Sequence, residues 1–388
     1  MNVKLSSEVL EVEPYVISMR RKFHEYPELS FSEHKTAQII EEELKAMGLN
    51  PRRIAQTGVI ADIEGEKDGK TVAIRADMDA LPVFEENELP YSSKNKGVMH
   101  ACGHDAHMAM ALGVAKIFGE KRFRGRVRLL FQPAEEQPPG GALKLIEEGA
   151  LEGVNYILGQ HVMSNIPSGH IAVYYGTMMA NSDKFVVKIH GKGGHGSAPH
   201  ETVDALLAAC YYTVTLQAIV SRRVDPLKAA VVSVGTLNAG YRFNIIAAHA
   251  ELTGTVRTLD DDTKSLVKSE LKRILEGVCA ATGTTYEFVY EDGYPLLVNH
   301  ESVAKVIESV AREVVGEQKV LHPPPVMGGE DFGYYLKKVP GAFYFLGVGN
   351  EKKGITSPQH SPTYNLDEDA LKIGVEVLYK STLKLLSH

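Results

Sequence analysis

KFVVKIHG (184–191), VDALLAACYYTVTLQAIV (203–220), AAVVSVGTL (229–237), AHAELTGTVRT (248–258), DTKSLVKSELKRILEGVCA (262–280) and TYEFVYED (285–292) follow one another through the middle of the chain. Four of these are short runs rich in β-branched and aromatic residues, whereas the second and fifth are longer and space their apolar residues three and four apart. The order is therefore β-α-β-β-α-β. That is the order of a split βαβ, ferredoxin-like unit, and it marks 182–292 as a compact domain inserted into a larger one.

Working outward, helical spacing is expected at 6–24 and 32–47, and strands at GVIADI (58–63) and TVAIRADMD (71–79). A helix at 104–118 follows, then RVRLLFQ (126–132), GGALKLIEEGAL (140–151) and YILGQH (156–161) alternate strand, helix, strand. Beyond the insert, helix 300–315, strand 342–349 and helix 368–386 resume the same alternation, so 1–181 and 293–388 are read as one α/β layered domain. The length of 388 residues agrees with two domains.

Composition narrows the function. A 44% hydrophobic and 23% charged chain is an ordinary globular one, and a net charge of -7 leaves no footprint for nucleic acid or an acidic membrane. Small-molecule partners are expected. Cys102, Cys210 and Cys279 are far apart with no CxxC spacing, which argues for a reducing compartment. With no basic start followed by an apolar run, and no stretch of membrane-spanning length, a cytoplasmic location is expected.

Chemistry-bearing residues lie on four short segments: Cys102 and His104 in MHACGHDAH (99–107), Glu135 and Glu136 in FQPAEE (131–136), His161 in LGQHV (158–162) and His360 in SPQHSP (357–362). Thiolate, imidazole and carboxylate form the ligand set of zinc and similar divalent ions, and a spare glutamate beside a ligand glutamate supplies a base for activating water. Asp77, Asp79, both glutamates and His161 fall just past apolar strand runs, where open α/β sheets bind ligands. Cys102 and His104 instead precede a helix, whose N-terminus favours a thiolate. Taken singly, each has a blander reading: an incidental CGH, a solvated turn after Pro133, an exposed histidine. The weight lies in the ensemble. His107 is read as a residue supporting His104 or as structural, and His190 and His249 as packing or surface residues.

From RRKFHEYPELSFSEHKTA (20–37) through IRADMDALPV (74–83), MHACGHDAHMAM (99–110), FQPAEE, GKGGHGSAPHETVDAL (191–206) and GGEDFGYYL (328–336) to NLDEDALK (365–372), the chain resembles the family-20 metallopeptidases. It is most similar to their aminoacylase, carboxypeptidase and auxin-conjugate hydrolase branch, in the manner of the thermostable carboxypeptidase-like amidohydrolases of archaea. The resemblance implies a zinc-peptidase-like α/β catalytic domain, with the ferredoxin-like insert serving as lid and dimerisation domain. It also implies two divalent metal ions per subunit, zinc or in its place manganese, cobalt or nickel, held by Cys102, His104, Glu136, His161 and His360. Glu135 would then be the general base, taking a proton from the attacking water and returning it to the leaving amine. From the insert, His195 would stabilise the oxyanion, and Asn244 and Arg257 would hold the substrate carboxylate. Gly329 would allow close backbone approach near that carboxylate. Family practice further implies a homodimer or higher oligomer, with His195 and Asn244 reaching the site of a partner subunit.

Two positions depart from the wider pattern: Arg75 stands where more distant relatives place a ligand histidine, and Ala247 follows NII where proline is usual. The expected activity is metal-dependent hydrolysis of N-acyl amino acids or of the C-terminal residue of blocked peptides. The alternatives are a hydrolase with Cys102 as nucleophile, and a catalytically silent metal-binding protein of the same fold.

Overall fold

The computed structural model describes residues 3–387, in two units. The first runs to Met178 and takes in Val298–Pro324 and the chain from Asp331 onward. It is built on an eight-stranded mixed sheet in the order Arg52–Ile54, Gly58–Glu64, Arg124–Gln132, Glu66–Asp77, Tyr156–Pro167, Gly341–Gly349, Ile171–Ala172 and Val320–Leu321. The centre is parallel: Glu66–Asp77 pairs in parallel with Arg124–Gln132 and Tyr156–Pro167, and the latter with Gly341–Gly349. An antiparallel ribbon closes one edge.

These central strands read as apolar runs because they are covered on both faces, and every residue of Gly341–Gly349 is buried. The helix His104–Gly119 is buried nearly all round. It lies against Ser7–Glu25, Leu371–Ser387 and the strand Glu66–Asp77, the interior position that an all-round apolar helix requires. Gly113 leaves room for Val16, whose Cγ2 would be 2.6 Å from a Cβ built there. The observed bounds Ser7–Glu25, His34–Ala46 and His104–Gly119 lie within two residues of those expected. The helix expected over 140–151 is shorter, Gly141–Glu147, and the chain turns away at Gly149 with φ +85°.

The second unit comprises Met179–Leu297 and Pro325–Glu330. Its strands lie in the order Ala230–Ala239, His249–Thr258, Ser182–His190 and Thr285–Tyr294, all antiparallel. Ser182–His190 buries Phe185, Val187 and Ile189 on one face, and the helices Ala205–Thr215 and Asp261–Thr282 pack there with Leu252, Val256, Leu271 and Leu275. Asp204 and Asp260 start these helices by accepting hydrogen bonds from the N–H groups of Leu207 and Thr263. The segment 325–330 belongs here because Ala180 N–H donates to the carbonyls of Val326 and Gly328. Among the described residues no helix is long and apolar enough to cross a membrane.

Candidate metal centre

The parallel strands of the first unit carry their ends to one edge, and the candidate residues collect there. Asp77 ends Glu66–Asp77 and Asp79 follows it; Glu135 and Glu136 follow Arg124–Gln132; His360 lies on the loop after Gly341–Gly349. His161 differs from expectation in lying within its strand, Tyr156–Pro167, not past its end. Cys102 and His104 flank Gly103, whose left-handed backbone (φ +92°) opens the helix His104–Gly119.

Two ligand sets overlap. Cys102, His104 and His161 present one donor atom each within 4.8 Å of one another, and so do Cys102, Glu136 and His360. Cys102 belongs to both sets. Its Sγ is 3.5 Å from His161 Nε2, and Glu136 Oε1 is 3.4 Å from His360 Nε2 and 3.9 Å from His104 Nε2. Glu135 joins His104 and Glu136 in a third cluster of the same size. His360 reaches its place with φ +64°, a conformation uncommon for a side chain with a Cβ.

The histidine tautomers follow from their neighbours. His104 donates from Nδ1 to the Asp79 carbonyl at 2.8 Å, and His161 from Nδ1 to the Val162 carbonyl at 2.7 Å, so each turns an Nε2 lone pair inward. His107 is different. Its Nε2 accepts from Val162 N–H at 2.9 Å, so its Nδ1 carries the proton and donates to Asp77 Oδ1 at 2.6 Å. With both nitrogens engaged, His107 supports the site and is no ligand. Asp77 also accepts from Arg75 at 2.6 Å, and Arg75 reaches on to Gln132 at 2.9 Å and Asp331 at 2.8 Å. Arg75 is therefore the centre of a buried ionic brace.

Electrostatics favours a cation at this edge. Burial alone would lower His104, yet Asp77, Asp79 and Glu136 push it up to about 10. Burial and then Glu136 and Glu135 hold the Cys102 thiol well above its usual range. His104 Nε2 and Glu136 Oε1 are buried without a hydrogen-bond partner, an arrangement that costs free energy until something positive lies between them. A soft sulfur, imidazole nitrogens and a carboxylate form a donor set that fits zinc.

The remaining candidates lie in the second unit. His195 pairs with Ile245, and Gly196 N–H donates to the Asn244 carbonyl at 2.9 Å, so these two candidates are brought together. Ser197 N–H donates to His195 Nδ1 at 3.1 Å, which leaves the proton on the exposed Nε2. Asn244 Oδ1 is buried without a partner. Arg257 is half-buried on His249–Thr258, its guanidinium meeting the Val256 carbonyl at 3.4 Å, and burial lowers its pKa. Gly329 lies against Ser182, whose Cβ would be 2.8 Å from an added Cβ. Ala247, where proline was expected, is held by its carbonyl, which accepts from Ala205 N–H at 3.1 Å.

Sequence reasoning passed over Glu33 and the partners of Asp331. Asp331 accepts from Arg75, from Gln132 at 2.7 Å and from Ala142 N–H at 3.1 Å, and is part of the brace behind Asp77. Its partners lie far away in sequence, and no local pattern signals them.

A model of peptidase family M20/M25/M40 matches residues 73–384. The chain is 44% identical over 377 residues to thermostable carboxypeptidase 1 of Saccharolobus solfataricus, covering 96% of this chain and 95% of that protein. It is 47% identical over 294 residues to an N-acyl-L-amino acid amidohydrolase of Geobacillus stearothermophilus, covering 75% and 80%. Among solved structures, a Bacillus subtilis protein described as a dinuclear metal binding peptidase from the M20 family superposes with a TM-score of 0.86 at 35% identity, covering 97% of this chain and 99% of that one.

Proposed function

Because this chain belongs to peptidase family M20/M25/M40 and is a hydrolase, we propose that it is a metal-dependent amidohydrolase acting on N-acyl amino acids or on the C-terminal residue of blocked peptides. The observation that carries this reading is the pair of ligand sets sharing Cys102, with Glu135 beside them. Cys102, His104 and His161 would hold one divalent ion and Cys102, Glu136 and His360 a second. The bound ions would polarise the scissile carbonyl and acidify the attacking water.

The chain's own groups supply the rest. Glu135 takes a proton from water and returns it to the leaving nitrogen, one residue serving as base and then acid. Asp79 aims it, accepting from the N–H groups of Glu135 and Glu136 at 3.0 and 2.9 Å. His195 donates from Nε2 to the oxyanion, and Arg257 and Asn244 take the substrate carboxylate. A half-buried guanidinium whose Nη1 bonds, among the described residues, only the Val256 backbone carbonyl, at 3.4 Å, supports that assignment. Gly329 contributes close backbone approach beside it. We further propose that the second unit is a ferredoxin-like lid and dimerisation domain. Its strand order, an edge at Ala230–Ala239 and the exposed Tyr241 and Phe243 support self-association. A cytoplasmic protein is the corresponding expectation.

One contact favours a second reading, Cys102 as nucleophile: the 3.5 Å approach of His161. Against it, burial and then the neighbouring carboxylates raise the thiol's pKa when a nucleophile needs it lowered. The test is a panel of N-acyl amino acids and blocked dipeptides on metal-stripped protein reloaded with zinc, manganese or cobalt. Activity lost on stripping and regained on loading supports the metal reading. Activity that persists in chelator and is lost to thiol alkylation supports the nucleophile.

A further inference from the structure

We propose that Glu33 is a positioning residue for Glu135, acting through the backbone of Ala134; this rests on the general-base reading of Glu135. Three successive N–H groups leave the strand Arg124–Gln132 on the way to the centre, and a buried carboxylate accepts each. Glu33 Oε1 takes Ala134 at 2.9 Å, Asp79 Oδ1 takes Glu135 at 3.0 Å and Asp79 Oδ2 takes Glu136 at 2.9 Å. Ala134 is held at φ +54°, a left-handed conformation that alanine does not keep without support. On its other side the Ala134 carbonyl accepts from Gly141 N–H at 3.2 Å.

Glu33 is fully buried at the foot of His34–Ala46, and its second oxygen accepts from Thr57 Oγ1 at 2.6 Å. Thr57 follows two positive-φ residues, Ala55 and Gln56, and the next residue, Gly58, abuts the Pro133 ring, 3.0 Å from a Cβ built there. One carboxylate thus ties a helix start and a tight turn to the loop that carries the base. With one oxygen bonded to Thr57 and the other to Ala134, the carboxyl group is fixed in place, which suits holding a strained peptide in one orientation.

Without Glu33 the Ala134 N–H is buried with no acceptor, and the peptide relieves this by turning toward ordinary φ. Glu135 is the next residue, so its carboxylate swings with that turn. The metal ligands Cys102, His104, His161 and His360 lie on other segments, and Glu136 keeps its own N–H bond to Asp79 Oδ2, so the loss falls on turnover.

The experiment is steady-state hydrolysis of an N-acyl amino acid by metal-loaded Glu33→Ala, Glu33→Asp and Glu33→Gln, with metal content measured on each. Glu33→Ala and Glu33→Asp, the second too short to span Thr57 and Ala134, are expected to lower kcat at least about tenfold, as displacement of a reacting group does. KM stays within about twofold, since uniform binding is unaffected, and metal content stays at the wild-type level. Glu33→Gln keeps an acceptor for Ala134 and is expected to retain most of kcat. Unchanged kcat in Glu33→Ala and Glu33→Asp overturns the proposal; so does a loss equal in all three, or one that tracks lost metal. If Glu33→Ala does not fold, Glu33→Asp decides. Glu135→Gln separates the two readings: activity there sinks the base assignment itself, whereas an inactive Glu135→Gln beside fully active Glu33 variants sinks only the role of Glu33.

Discussion

Replacing Gly103 by alanine tests whether the turn between Cys102 and His104 has the tightness the structure gives it. Gly103 sits at φ +92°, and an added Cβ would lie 2.2 Å from Val162 Cγ2 and 2.7 Å from the Tyr364 hydroxyl. Both neighbours are fully buried, so neither can swing out to solvent. The left-handed conformation costs a residue with a Cβ about 1–2 kcal/mol. Overpacking of a filled interior adds about 1–3 kcal/mol, for a total near 2–5 kcal/mol. Because the displaced peptide carries a candidate ligand on each side, zinc affinity should fall together with stability. The assay is a denaturant titration of the metal-free protein alongside a zinc titration. Trimming the opposing wall with Val162→Ala should make the double variant less destabilised than the sum of the single ones. A stability change under about 1 kcal/mol with normal zinc uptake would refute the reasoning, since the contact and backbone costs would then be absent.

Glu135→Gln should lower kcat by about 10²–10⁴-fold, the usual worth of general acid–base catalysis, in hydrolysis assays at matched metal content. Arg75→Met should destabilise the protein by about 3–5 kcal/mol in chemical unfolding, because it takes the guanidinium from the buried Asp77 and Asp331 carboxylates; no change would mean that the brace contributes nothing. Glu33 offers a pH signature: burial, then the nearby Asp79 charge, raises it to about 7 from an ordinary 4.5. In this window the folded state binds the proton that the unfolded chain has released, so metal-free wild type should lose stability as pH rises from 4.5 through 7. Glu33→Gln should lack that component, and parallel pH profiles for the two proteins would contradict it.

Much of the fold was legible because its parts are local. His104–Gly119 begins where its first ligand was expected, and the β-α-β-β-α-β order of the middle segment appears as four antiparallel strands with two capped helices. The five candidate ligands were legible as residue types that rarely occur together by accident, and they converge on one edge of the sheet. What stayed hidden depends on contacts across the sequence. Nothing local says that both His107 nitrogens are engaged, which removes it from the ligands. Nor does Arg75 announce Asp331, 256 residues away, or Glu33 the Ala134 amide. Even the end of Tyr156–Pro167 was misjudged, because the strand keeps its partner in Gly341–Gly349 well past His161.

The most direct measurement is anomalous diffraction at the zinc edge from crystals of zinc-loaded protein. The account predicts two scattering maxima with the Cys102 sulfur between them, one facing His104 and His161 and the other facing Glu136 and His360. Zinc bound elsewhere, or a loaded and active enzyme in which Cys102 touches no metal, would contradict it.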